Sequence, residues 1–247
     1  MIRKTVLALM LAAAGVNAHA ALSAGDIAFT SFNADEDGLS FVTFKNIDAN
    51  TTIFFSDNEW GGSAFNTGES YNQWNSGSSQ IDAGSVIRFS AYDKTTLSAS
   101  TGTLSRVTVA SNTNWGISTT ADTIYAYLGS SATAPTTFLS AISNATDGSL
   151  VGTGLTEGTN AIRLNSIATG ATPDYAEYNG ARSGAASFDA YKAQVNNVAN
   201  WTIDTTNGSY ASTLPNTTAF SVTAVPEPTN YAMFLAGLGL MGLVARR

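Results

Sequence analysis

Apolar and polar residues alternate along many short stretches of the chain, and clusters of Gly, Asn, Asp and Ser interrupt them about every 8 to 12 positions. The stretch 39–47 alternates with the period of a strand that buries only one face. Further strands are predicted at 27–32, 51–56, 70–74, 85–92, 106–110, 123–128, 160–165 and 220–223. The Ser-, Thr- and Gly-rich segment 130–158 is predicted to be a long loop. Since no repeat or linker divides 21–223, we expect one mostly β domain, an antiparallel β-sandwich.

One segment has helical spacing instead. Phe188, Tyr191, Val195 and Val198 recur at steps of 3, 4 and 3, and Ser187 is placed to cap the first turn. This spacing predicts a short amphipathic helix of about three turns. We expect its apolar face to pack on the sandwich.

The amino-terminal residues have the three parts of a secretory signal peptide. Arg3 and Lys4 form a basic start, and the apolar run at 6–14 is shorter than the ~20 residues that span a bilayer. Ala18 and Ala20 supply the small residues that signal peptidase accepts. We therefore predict an exported protein with a signal peptide at 1–20, cleaved after Ala20.

The carboxyl-terminal residues, 224–247, have a second three-part pattern. The motif Pro226-Glu227-Pro228 precedes an apolar run at 231–245, and Arg246 and Arg247 end the chain. As a helix the run would be roughly 22 Å long, which only marginally spans a membrane. The arginine pair fits the cytoplasmic side. The sequence thus predicts a hydrophobic, membrane-inserted C-terminal helix.

In its motif, order and distance from the terminus, this tail resembles the PEP-CTERM sorting signal of Gram-negative bacteria. The resemblance implies processing by exosortase, a membrane-embedded cysteine transpeptidase, with cleavage near Pro226-Glu227-Pro228. It also implies transient retention in the inner membrane and delivery to the cell surface or the exopolysaccharide matrix. The alternative is a plain C-terminal membrane anchor.

Composition narrows the chemistry open to the mature protein. The chain has no cysteine, and its one histidine, His19, lies in the predicted signal peptide. Disulfides, thiolate nucleophiles, Cys/His zinc sites and histidine bases are therefore excluded. Residues 21–225 carry 17 acidic and 7 basic side chains, a formal charge of −10. Because such a surface repels phosphate backbones, no nucleic-acid partner is expected.

The domain between the two signals resembles a module of many exported bacterial proteins and, more loosely, lamin-tail-like sandwiches of the immunoglobulin type. The resemblance is carried by the runs 25–29, 33–35, 51–60, 81–87, 177–180, 183–184 and 200–201. It covers most of residues 24–203. What it implies is a fold, without an established activity.

A calcium loop is one candidate site in this domain. Asn33, Asp35 and Asp37 place side-chain oxygens at alternate positions, and Gly38 occupies the sixth position, as in the first half of a calcium loop. The twelfth position is Phe44, so a ligand would have to come from elsewhere, with Asp57 or Glu59 as candidates. The alternative is an acidic turn between two strands, since Asn, Asp and Gly also form turns.

An aromatic platform for sugar rings is a second candidate. Trp60, Tyr71 and Trp74 lie close to Asp57 and Glu59, and sugar rings pack their apolar faces on Trp and Tyr. Such a platform would suit a protein that is delivered to a polysaccharide matrix. The alternative is that the aromatic residues belong to the core.

Carboxylate pairs offer the only route to catalysis. Glycosidases need two acids at a defined separation, and Asp57 with Glu59 or Asp174 with Glu177 could supply them. No nucleophile motif or phosphate loop is present. We therefore expect a non-enzymatic protein with a structural or adhesive role. A carbohydrate-binding or calcium-dependent module is the alternative, and a carboxylate-based hydrolase is the third.

Overall fold

A computed structural model describes residues 21–223, apart from 93, 110, 111, 113, 147, 167–169 and 171. In this part of the chain two six-stranded sheets pack with one short α-helix, which confirms the mostly β fold. The predicted signal peptide, with Ala18 and Ala20, and the predicted sorting tail lie outside the described residues.

The first sheet is antiparallel throughout. Its strands are β1 (Ile27–Asn33), β2 (Gly38–Thr43), β5 (Val86–Ser90), β6 (Ser98–Ala99), β11 (Tyr175–Tyr178) and β12 (Trp201–Ile203). They are ordered β12-β11-β1-β2-β5-β6. The chain thus returns near its end to complete the sheet that it began.

The second sheet contains one parallel pair. Its strands are β3 (Thr52–Ser56), β4 (Tyr71–Asn75), β7 (Thr103–Arg106), β8 (Thr123–Ser131), β9 (Ala134–Ser143) and β10 (Ala161–Arg163). They are ordered β10-β9-β8-β3-β4-β7, and β10 runs parallel to β9. The expectation of purely antiparallel pairing is therefore wrong at this edge, where the 144–160 segment makes the crossover.

Aromatic rings fill the space between the sheets. Phe55 packs edge-on against Phe89 at 4.9 Å between ring centroids, and Phe41 packs against Trp74 at 5.5 Å. All six residues of β2 are buried, so the prediction that only one of its faces is covered is wrong. The hydroxyl of Ser40, on β2, forms hydrogen bonds with neighbouring hydroxyl groups of β1, so this buried polar group has partners.

A second apolar cluster covers the outer face of the second sheet. Phe54, Tyr125, Tyr127 and Phe138 project from the strands into it, and Trp60 packs against Phe138. The predicted loop 130–158 in fact contains β9 and supplies part of this cluster. The strand β9, which pairs with β8, was missed because this segment is rich in Ser and Thr.

The helix α1 (Asp189–Val195) lies within the segment that its spacing predicted, but it is shorter. Tyr191 and Val195 are buried as expected. The N-cap residue is Phe188, which makes no side-chain capping bond. The prediction that Ser187 caps the helix is therefore wrong. Val198 begins a separate 3₁₀ turn.

Two strand predictions fail and several short strands were missed, for local reasons. β7 ends at Arg106, where the predicted strand was expected to begin, and β11 and β12 were missed because each is only three or four residues long. The predicted strand 220–223 contributes a single bridge, between Val222 and Ala185. Among the described residues no helix is long and apolar enough to cross a membrane, and the predicted helix 231–245 lies outside them.

Candidate functional site

The predicted calcium-loop side chains bind two different segments: Asn33 and Asp35 bind the backbone of Tyr210, and Asp37 binds that of Ile117. The Asn33 amide donates to the Tyr210 carbonyl at 3.0 Å, and Asp35 Oδ2 accepts from the Tyr210 N–H at 2.6 Å. Asp37 Oδ1 instead accepts from the Ile117 N–H at 2.6 Å. Within the described ranges no group of three or more acidic side chains is arranged to hold a metal ion. Calcium at this loop stays a prediction, and a melting temperature that rises in millimolar calcium over chelator would support it.

Two acids that the sequence did not connect with this loop meet beside Asp35. Asp174 is buried, and burial, a hydrogen bond with Asp204 and the charges of Asp35 and Asp204 raise its pKa to about 6. For Asp204, burial opposes ionisation, but hydrogen bonds from Asp174, Gly208 and Thr206 hold its pKa well below its usual range. The pair therefore shares a proton in mildly acidic solution.

The three aromatic residues of the predicted sugar platform are covered. Trp60 is 7% exposed and donates its indole N–H to the Val151 carbonyl at 2.9 Å. Trp74 is fully buried and donates to the Thr101 carbonyl at 2.7 Å, and Tyr71 is 2% exposed. Trp60 and Tyr71 belong to the outer cluster and Trp74 to the inter-sheet core. Stacking on a sugar needs an open ring face, which these residues do not offer.

The acids of the candidate catalytic pairs form hydrogen bonds with different parts of the fold. Asp57 is buried and its Oδ1 accepts from the N–H and the hydroxyl of Ser70, at 2.6 and 2.8 Å. Burial raises the pKa of Asp57 to about 8, against the Ser70 hydrogen bond and with help from the Glu69 charge. Glu59 is half-buried and accepts from the Asn66 amide at 3.2 Å. Glu177 accepts from the Tyr175 hydroxyl at 2.8 Å and from the Asn216 N–H.

A buried polar end of the inter-sheet core surrounds Asp57, and the sequence analysis missed it. Asn72 and Tyr92 are fully buried, and burial raises the pKa of Tyr92 well above its usual value. Arg106 lies opposite Asn72 and places its guanidinium 4.6 Å from the Trp115 ring. Alternation in β4 was the available signal, since it puts Asn72 on the same face as the core residue Trp74.

A shallow polar groove lies outside this buried end. It encloses about 550 Å³ and is lined by Glu59, Asn66, Thr67, Gly68, Glu69 and Asn114. The Asn114 N–H donates to the Gly68 carbonyl at 3.0 Å, which joins the two loops that form the walls. Carboxylate and amide groups at such a groove are the kinds that hydrogen-bond sugar hydroxyls.

The segment after β12 fastens its end to the domain before the tail begins. Phe220 is 3% exposed and its N–H donates to the Gly84 carbonyl at 2.8 Å. The N–H groups of Ser221 and Thr223 donate to the carbonyls of Arg182 and Ala185, at 2.8 and 2.9 Å. We call these contacts of residues 220–223 the C-terminal clip.

A two-sheet domain followed at once by a Pro-Glu-Pro motif, an apolar run and terminal arginines has the organisation of an exported protein with a sorting tail. Residues 224–247 match the family model of the PEP-CTERM protein-sorting motif. The match confirms the predicted signal that contains Pro226, Glu227, Pro228, Arg246 and Arg247. It supports an exported protein that is transiently anchored in the membrane and processed by exosortase.

No curated protein and no solved structure matches the chain significantly. The lamin-tail-like resemblance of the domain therefore stays a prediction.

Proposed function

We propose that the mature domain is a non-enzymatic structural or adhesive component of the cell surface or the exopolysaccharide matrix. The observation that carries the proposal is the use of the candidate catalytic acids. Asp57 accepts from the Ser70 N–H and Glu177 from the Asn216 N–H, while Asp174 is bonded to Asp204, which itself accepts from the Gly208 N–H. Acids that are bound to backbone N–H groups are supports of the fold and lack the open pairing that a glycosidase requires.

The construction of the domain suits a mechanical role. The two sheets share a dense aromatic core, and a second cluster covers an outer face. The four edge strands, β6, β7, β10 and β12, are each two to four residues long, which limits pairing with other chains. A rigid domain with short edges can be displayed at high density without forming sheets with its neighbours.

The test is made in the host. Cells that lack the protein should show weaker matrix cohesion or surface attachment, and the wild-type chain should restore it. Purified protein should leave the host polysaccharide intact. Hydrolysis that disappears in Glu59→Gln would contradict the proposal and favour the carboxylate-based hydrolase.

Carbohydrate binding is the second candidate, and the polar groove at Glu59, Asn66 and Asn114 favours it. Binding to purified exopolysaccharide should weaken in Asn66→Ala and Asn114→Ala, because both side chains are exposed at the groove. Asn179→Ala is the matched control, since Asn179 is an exposed amide outside the groove. Equal binding by all four proteins would remove this candidate from the groove.

A further inference from the structure

We propose that the end of the sandwich at the C-terminal clip forms part of the surface that contacts exosortase during processing. The clip comprises residues 220–223 and the groups that they bind, around Gly84, Arg182 and Ala185. The inference rests on sorting by exosortase and adds the domain surface that would take part.

The clip is a firm attachment. The Phe220 ring packs at 5.1 Å from the ring centroid of Tyr191, 5.7 Å from that of Tyr178 and 6.3 Å from that of Phe44. The Arg182 guanidinium covers the same ring at 4.9 Å. The Tyr191 hydroxyl also donates to the Ser221 carbonyl at 2.7 Å. Aromatic packing and backbone hydrogen bonds thus hold residues 220–223 to the domain.

The clip also needs a close approach between two backbones. A Cβ atom at Gly84 would lie 2.2 Å from the Phe220 carbonyl oxygen, and Gly84 has a φ of +91°. Only glycine fits this conformation without strain. Gly84 therefore allows residues 220–223 to dock here.

The clip lies only a short distance along the chain from the sorting motif, so it limits how far the motif can be from the domain. Pro226 of the motif lies three positions beyond Thr223, the last residue that the clip holds. Even fully extended, three residues span roughly 10 Å. While the clip is closed, an enzyme that acts at the motif has to come within this distance of the domain surface.

The other end of the mature chain leaves the domain at the same place. Ala21 lines a cleft of about 460 Å³ together with Phe44, Lys45 and Ala83. Phe44 packs against Phe220, and Ala83 precedes Gly84 of the clip. The predicted signal peptide and the sorting tail therefore connect to one end of the sandwich, which points this end towards the membrane that holds exosortase.

The experiment compares processing of the full-length chain in its host. Inserting ten Gly and Ser residues after Thr223 leaves every clip contact in place but lengthens the tether, which lowers the effective concentration of the domain surface at the motif by roughly tenfold. We expect the rate of tail removal to fall by up to that factor. Phe220→Ala should slow removal in the same way by opening the clip.

Two variants make the result specific. Leu214→Ala alters a residue of the same segment that is 73% exposed, and it should be processed at the wild-type rate. Glu227→Ala changes the motif itself, and its normal processing would contradict sorting by exosortase as such. If Glu227→Ala blocks processing but the insertion and a folded Phe220→Ala are processed normally, the proposed contact is wrong and sorting stands.

Discussion

At the level of single residues, the tertiary structure strongly affects the ionisation of two buried acidic side chains. Asp174 meets Asp204 across the space between two strand ends, and Asp57 lies under the polar end of the core. Each has a raised pKa because its charge is poorly solvated in the folded state. Both acids should therefore make the free energy of unfolding depend on pH near neutrality.

For Asp174, the folded state binds the proton more tightly than the unfolded state, whose pKa is near the usual 3.8. Its stabilising contribution is full below that value and is lost as pH rises through about 6. We expect a higher melting temperature at pH 5 than at pH 7.5. Asp174→Asn should reduce this difference, because an amide cannot ionise, and an unchanged difference would contradict the assignment.

For Asp57, the same sign applies at higher pH. Its contribution is full below the usual 3.8 and is lost as pH rises to about 8, so stability should fall between these two pH values and level off above about 8. Asp57→Asn should flatten this part of the profile measured by denaturant unfolding. Asp48→Asn, at an exposed position, is a control that should leave the profile as it is.

The tryptophan residues are expected to contribute to stability. Truncating a buried tryptophan costs about 3 to 5 kcal/mol through lost transfer energy and the cavity that remains. Trp74→Ala, at a fully buried position, should reach this range in urea unfolding, and the half-buried Trp115→Ala should cost clearly less. Equal losses would show that Trp74 lies less deeply than the structure places it.

At the level of elements, the 205–223 segment differs from the sheets. Among its residues only Pro215 and Phe220 are buried, so most of its length depends on single hydrogen bonds. One of them joins the Tyr210 N–H to Asp35. Asp35→Ala should raise amide hydrogen exchange at Tyr210 and leave the β8–β9 hairpin protected. Unchanged exchange at Tyr210 would mean that this hydrogen bond does not control the segment.

The sequence predicted strands where apolar, aromatic and β-branched residues recur over five or more positions. β1, β3, β4, β5 and β8 were found in this way, and Tyr191 with Val195 located the helix. β9 was missed because its first half is rich in Thr and small residues. β12 was missed because its three residues carry little periodicity of their own, whereas the equally short β10 lies within the longer stretch predicted at 160–165.

For the whole molecule, sorting defines a specific product. We expect intact-mass analysis of the surface or extracellular fraction to show a chain that begins at Ala21 and ends near Pro226. This outcome follows from the signal peptide pattern and the matched sorting motif. A full-length tail found only in the inner membrane would indicate a plain anchor and would remove the main support for a role in the matrix.

The sequence by itself determined the mostly β fold class and the sorting signal. The two signals are linear patterns that enzymes and membranes read locally, and strand periodicity follows from backbone geometry alone. Tertiary structure alone decided what the candidate site residues do. The Trp60 indole N–H donates to the carbonyl of Val151, 91 positions away. The Asn33 amide donates to the carbonyl of Tyr210, 177 positions away. Burial depends on such distant contacts, and a local pattern does not contain them.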